Sequence, residues 1–218
     1  MSNVYSEEHR RLQERFSTRK LADRLEELIV KSTLDDMDKA FIESRDYFFL
    51  STVDQHGHPT VSYKGGDPGF VRVVDPQTIA FPSYDGNGMF FSMGNLAGNP
   101  KVGILFIDFE NPHRFRLHGE ATVAPDDPLL AGYPEAELVV RVKLTKAWVN
   151  CPRYVHRMQR VASSRYVPRA ACETPLAVWK RLDVMQDVLP PKDAGRPEKA
   201  GGVITMDEYF AKLMAGEA

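Results

Sequence analysis

The chain has 218 residues, 43% of them apolar, and a formal net charge of −2. That length suits one domain with terminal elaborations or two small ones, the apolar fraction fills a real core, and the charge leaves no electrostatic footprint for nucleic acid. No apolar run reaches the length of a membrane span, the polar start MSNVYSEEHRRLQ is unlike a signal peptide, and two cysteines, Cys151 and Cys172, suit a reducing compartment, so a soluble cytoplasmic protein is expected.

Taken in chain order, residues 6–31 read as one helix, with Ser6 ahead of acids and Leu12, Phe16, Leu21, Leu25 and Leu28 near helical spacing. A second helix follows at about residues 35–45, with Met37, Phe41 and Ile42 as its apolar stripe. Then the period changes. YFFLSTV is aromatic and β-branched, DQHGHP is a turn, and TVSY resumes an extended pattern. FVRVV and TIAF around DPQ make a second hairpin, KVGILFIDF and FRLHGEATVA around ENPHR a third, and ELVVRVKLTKAWV one more long strand. Strands joined mostly by tight turns predict an antiparallel sheet or barrel, mainly β with peripheral helices, rather than a parallel doubly wound sheet. PSYDGNGMFFSMGNLAGNP interrupts this pattern as a loop with a short helix in MFFSMGNLA. After the last strand, CPRYVHRMQRVA is expected to be helical after Pro152, PLAVWKRLDVMQDVLP to be a helix with Pro175 near its start, and ITMDEYFAKLM to be a final helix. The expected organisation is a helical extension (1–45), a barrel core (46–150) and a C-terminal helical segment packed on the barrel (151–218).

Three stretches carry candidate chemistry. In SYKGGDPGF, alternation along a strand puts Ser62 and Lys64 on one face and Tyr63 on the other, and Gly65 and Gly66 let the backbone approach a ligand or turn sharply. A lysine beside a hydroxyl and open amides suits a phosphate, although a solvent-facing Lys before a glycine turn fits the same letters. In PSYDGNGMFFSMGNL, Gly86, Asn87 and Gly88 can leave amides pointing one way, with the positive end of the short helix behind them; the spacing is neither a P-loop nor a dinucleotide fingerprint. In AWVNCPRYVHRM, Asn150 and Arg153 are the better ligand contacts, and Cys151 reads as a packing residue rather than a nucleophile. His56 and His58 fall in a turn without further clustered ligands, no Cys pair is spaced for zinc, and no serine-hydrolase elbow occurs, so no metal site is expected.

Together, FFLSTVDQHGHPTVSYKGGDPGFVRVVD, FPSYDGNGMFFSMGNLAGNPKVGILFIDF and FRLHGEATV resemble the pyridoxamine 5′-phosphate oxidase-like family of FMN-binding split β-barrels over roughly residues 40–125. NCPRYVHRM and WKRLDVMQDVLP extend the resemblance over most of the chain. The resemblance implies an antiparallel split barrel and a homodimer with two FMN molecules at the subunit interface. It places Ser62, Tyr63, Lys64 and Gly65 on the strand lining the flavin, Pro82 and Ser83 at the end of the next strand, and Asn87, Gly88, Met89 and Ser92 in the phosphate loop and helix start. It implies an FMN-dependent oxidoreductase acting on a small molecule, with a flavin store or redox sensor, or a deazaflavin- or haem-binding barrel, as alternatives. Members that oxidise pyridoxamine phosphate carry Arg-Lys where this chain reads Phe91-Ser92, and an Arg where it reads Ser62. Phosphate holding would therefore fall to Lys64, loop amides and Arg153, and vitamin B6 oxidation is not expected. Phe90, Phe91 and Met93 are expected to pack under the loop, and the N-terminal helix to lie either on the partner or on its own barrel.

Overall fold

The structure, a computed structural model, describes Ser2 and residues 4–217, and divides into two compact units, Met1–Val161 and Ala162–Ala218. Seven strands of the first unit, β1 (Tyr47–Val53), β2 (Pro59–Gly65), β3 (Arg72–Asp75), β4 (Thr78–Tyr84), β5 (Lys101–Asp108), β6 (His113–Ala124) and β7 (Ala136–Asn150), form one antiparallel sheet in the order β2-β1-β5-β6-β7-β4-β3. Period-two burial makes one face of each central strand apolar: Phe48 and Leu50 on β1, Phe106 on β5, and Phe115 and Leu117 on β6 are all buried. The sheet curls over that face. β1 and β4 stand four strand steps apart, about 19 Å in a flat sheet, yet the rings of Phe48 and Phe81 meet with centroids 4.9 Å apart. Phe70 and Phe106 also pack against Phe48, with ring centroids 5.8 and 5.4 Å away. The barrel stays open because the edge strands β2 and β3 pair with β1 and β4 and not with each other.

The N-terminal helix of the sequence reading is two helices, α1 (Glu7–Arg15) and α2 (Arg19–Ile29). Ser17 adopts φ 55°, the Thr18 N–H donates to the Gln13 carbonyl (2.8 Å) and the Ser17 N–H to that of Glu14 (3.0 Å), a Schellman closure built on serine. Arg10 pairs with Asp23 at 2.6 Å across the resulting hairpin. No residue of either helix is buried; Leu12, Phe16, Leu21, Leu25 and Leu28 all stand exposed, so the apolar stripe is not packed on this chain's own barrel. Helix α3 (Asp36–Glu43) matches expectation, started by a reciprocal cap in which the Asp38 N–H donates to the Asp35 carboxylate and the Asp35 N–H to that of Asp38, both at 3.0 Å.

Residues 152–161 are not helical. Their donors go instead to the β5–β6 turn: the Met158 N–H to the Phe109 carbonyl (3.0 Å), Arg157 Nε to that of Glu110 (3.1 Å), and the Arg160 N–H to the Glu110 carboxylate (3.2 Å). A further ion pair, Arg160–Asp46 at 2.5 Å, fixes the segment to the start of β1, so it belongs to the barrel unit.

In the second unit the expected helix after Pro175 is instead two 3₁₀ turns, Val178–Arg181 and Asp183–Met185. The Leu182 segment forms a parallel bridge with Ile204, which takes up the backbone groups a longer helix would use. Val178, Leu182 and Ile204 make a small core with Trp179, Met185 and Tyr209 around it. A buried ion pair, Lys180–Asp193 at 2.7 Å, and helices α5 (Arg196–Lys199) and α6 (Met206–Met214) complete the unit.

Candidate functional site

The register of β1 against β2 sets Lys64 opposite Phe48 and Ser62 opposite Leu50. Directly opposed residues share a face, so Ser62 and Lys64 point to the inner side of the barrel at its open edge, while Val61 and Tyr63 point outward and are exposed. Lys64 is mostly withdrawn from water. Burial alone lowers its pKa, and no carboxylate or hydrogen-bond acceptor among the described residues meets its ammonium. An ammonium so placed has lost hydration with nothing protein-borne in return.

The second component enters from α4 (Phe91–Gly98). Ser92, buried in its first turn, lies with Oγ 3.2 Å from Ser62 Oγ. One turn on, Asn95 donates from Nδ2 to Thr52 Oγ1 at 3.0 Å, so two polar contacts clamp the helix to the β1–β2 hairpin. The N–H groups of the first turn thus open beside the two hydroxyls, adding the positive end of a helix to the strand that carries Lys64. The loop ahead of α4 is shaped locally: Asn87 Oδ1 accepts the Met89 N–H at 3.1 Å, Gly88 has φ 75°, and Phe90 takes φ 47°, a left-handed conformation uncommon for an aromatic. Asn87, Gly88 and Met89 are exposed. Met93 packs below as expected, but Phe90 and Phe91 do not; 49% and 53% exposed, they form an apolar rim with Met89.

The glycines of YKGGDPGF serve the fold first. A Cβ on Gly66 would fall 2.4 Å from the Phe70 ring, and the Gly66 N–H donates to the Asp46 carbonyl at 2.9 Å, so Phe70 fills the space the sequence reading left for a ligand. Gly65 lies under the Tyr63 ring, which stacks on Tyr47 at 5.5 Å on the outer face. Tyr63 is therefore turned away from Ser62 and Lys64. Ser83 alternates with Phe81 and so faces inward, and Pro82 between them is buried beyond the reach of β3, where its missing N–H costs no ladder bond. The next residue, Tyr84, has its pKa raised first by burial and then by the charge of the Asp67 carboxylate, two residues past the end of β2.

Asn150 and Arg153 lie elsewhere in the single chain. Asn150 opposes Arg114 on the outer face of β7, four strands from β2, and Arg153 is exposed beyond the strand. Asn150 Oδ1 and Arg114 Nε are both buried without a hydrogen-bond partner among the described residues. Alternation alone does not reveal these orphan atoms. Cys151 is exposed, and its sulfur accepts the Arg153 N–H at 3.4 Å.

The family model for pyridoxamine 5′-phosphate oxidase matches residues 34–166, which takes in every strand, α4 and the segment tied to the β5–β6 turn. The chain belongs to that family. Solved structures similar to this family member include HupZ of Group A Streptococcus (15% identity, 58% of this chain and 100% of that one, TM-score 0.44). Others are the heme storage protein HutZ of Vibrio cholerae (20%, 53% and 94%, 0.41) and an FMN-binding protein of Syntrophomonas wolfei (15%, 64% and 97%, 0.40). No curated protein matches. Among the described residues, no helix is long and apolar enough to cross a membrane.

Proposed function

We propose that this protein binds FMN at the open edge of its barrel and acts as a flavin-dependent oxidoreductase on a small organic molecule. The observation that carries this reading is Lys64, a desolvated ammonium with no partner among the described residues, on the same inner face as Ser62 and next to the Ser62–Ser92 contact at the start of α4. A phosphate monoester supplies what that arrangement lacks: negative charge for Lys64 and acceptors for the two hydroxyls and the first-turn amides. Phe91 and Ser92 stand where relatives that oxidise pyridoxamine phosphate carry two cations, so the phosphate would be held by one ammonium, two hydroxyls and main-chain donors. FMN, when bound, supplies electron transfer at its ring; this chain's residues anchor and orient it and offer an apolar rim at Met89, Phe90 and Phe91.

The same reading includes a homodimer. The outer sheet face exposes Val61 and Tyr63, and the α1–α2 hairpin exposes its whole apolar stripe, surfaces that a second copy would cover. Asn150 and Arg153, remote from Lys64 in one chain, would then be available to the flavin of the other.

The test is the absorption spectrum of the purified protein after incubation with FMN, with the released chromophore identified by mass. A flavin spectrum and one FMN per chain are expected. A protein that stays colourless in excess FMN, or that takes up haem in its place, overturns the assignment. Turnover with NADH or NADPH and an acceptor separates an oxidoreductase from a flavin store, which would show the spectrum alone.

A further inference from the structure

The second unit carries a cavity of about 370 Å³ that owes nothing to the barrel. Arg165, Arg181, Arg196 and Lys199 line it, and Glu173 is the one acid among its described lining residues. Leu176 and Val178 supply an apolar wall. The size lies at the lower end of small-molecule sites.

Of the four cations, Arg165 directs Nη2 to the Tyr166 hydroxyl (2.8 Å) and the Glu217 carbonyl (2.5 Å). Arg181 is held by backbone: Nε donates to the Gly202 carbonyl and Nη2 to the Gly201 carbonyl, both at 2.8 Å. Gly201 and Gly202 have φ 102° and 87°, a consecutive left-handed pair open to glycine, and their carbonyls meet one edge of the guanidinium. The edge bearing Nη1 takes no hydrogen bond among the described residues. Arg196 donates from Nη2 to the Thr174 carbonyl at 3.0 Å and lies 3.4 Å from both Glu173 and Asp193, but Asp193 is already matched by the buried Lys180 at 2.7 Å. Lys199 has no hydrogen bond or ion pair among the described residues. The lining thus holds four cations to one carboxylate, with Asp193 shared by Lys180 and Arg196 and Glu208 close enough to Arg181 to feel its charge, and one guanidinium is fixed in place before any ligand arrives. Arginine held in this way matches planar or tetrahedral oxyanions with two parallel donors.

We infer that this cavity binds a compact organic dianion, a phosphate monoester or a dicarboxylate with a short apolar body, at a site separate from the flavin site. Calorimetric titration of the whole chain in the presence of FMN, with glycerol 3-phosphate, with succinate and with acetate, tests it. One of the two dianions should bind saturably, one per chain, and at least about tenfold more tightly than acetate. The stronger dianion identifies the phosphate or the carboxylate as the recognised group. Lys199→Gln should weaken it about tenfold, the loss expected for one charge-assisted hydrogen bond, with unchanged thermal unfolding; Lys199→Arg should retain it, and Lys64→Met should leave it untouched. Arg181→Gln should abolish it, but that change also loosens the Gly201–Gly202 turn, so Lys199 is the deciding position. Absence of saturable binding at millimolar dianion, equal affinity for acetate, indifference to Lys199→Gln or loss in Lys64→Met each overturns the inference, the last by assigning the anion to the flavin site.

Discussion

At the scale of single residues, the phosphate role proposed for Lys64 would set ligand affinity against the stability of the empty protein. Its folded pKa is lowered by burial, so from that value up to the unfolded value, about 10.4, the unfolded chain holds more protons. Stability without ligand therefore rises with pH through that window, and the penalty is fully present below it. Phosphate beside the ammonium reverses the shift, so FMN should flatten that rise in a series of thermal melts at increasing pH. Lys64→Met keeps the stem and removes the charge. It should weaken FMN about 10- to 100-fold by fluorescence titration, yet raise the melting temperature of the flavin-free protein by roughly 2–4 °C. Asp127 behaves oppositely. The Arg141 guanidinium, bonded to both its oxygens (2.5 and 2.9 Å), holds its carboxyl below the usual range, and the Leu129 N–H adds a third bond at 2.9 Å. This contribution is present above an ordinary aspartate pKa and is lost as pH falls through the depressed folded value. Asp127→Ala should cost about 2–3 kcal/mol in denaturant unfolding at neutral pH, with a smaller difference from the parent in acid.

At the scale of elements, what the letters show depends on whether the controlling contacts are near in sequence. The hairpins were legible because alternation and turn residues act over a few positions: Asp54 accepts the N–H groups of His56 (2.9 Å) and His58 (2.8 Å) inside the turn it begins. The break between α1 and α2 was hidden because serine occupies the left-handed position where glycine is usual. Ser17→Gly should relieve that conformation and stabilise the protein by about 0.5–1 kcal/mol, read from the urea midpoint. Residues 152–161 misled for a different reason. Their local preference is helical after Pro152, but the carbonyls that capture their donors belong to residues 109 and 110, which no nearby pattern announces. On β2, alternation grouped Ser62 with Lys64 on one face and put Tyr63 on the other, as the register shows, whereas the role of Gly66 depended on Phe70 folding back over it. The meeting of Ser62 with Ser92, thirty positions apart, came within reach only through the family pattern.

For the molecule as a whole, the exposed stripe on α1 and α2 is the test of assembly. If it covers a second barrel, replacing Leu21 and Leu25 with Glu should shift the protein from dimer to monomer in sedimentation velocity and lower flavin occupancy with it. A monomeric parent that nevertheless retained FMN would instead assign the site to one chain alone. The barrel's open seam has another consequence. Strand β2 is an outer strand with one row of backbone donors and acceptors not taken up by β1, a template on which a stray extended chain could add itself. An inward-pointing charge is a known deterrent to such growth, and Lys64 is the charge on this strand. The Lys64→Met protein should therefore melt later and yet cloud sooner when held warm and concentrated, because the residue that burdens the empty fold also guards its margin against self-association.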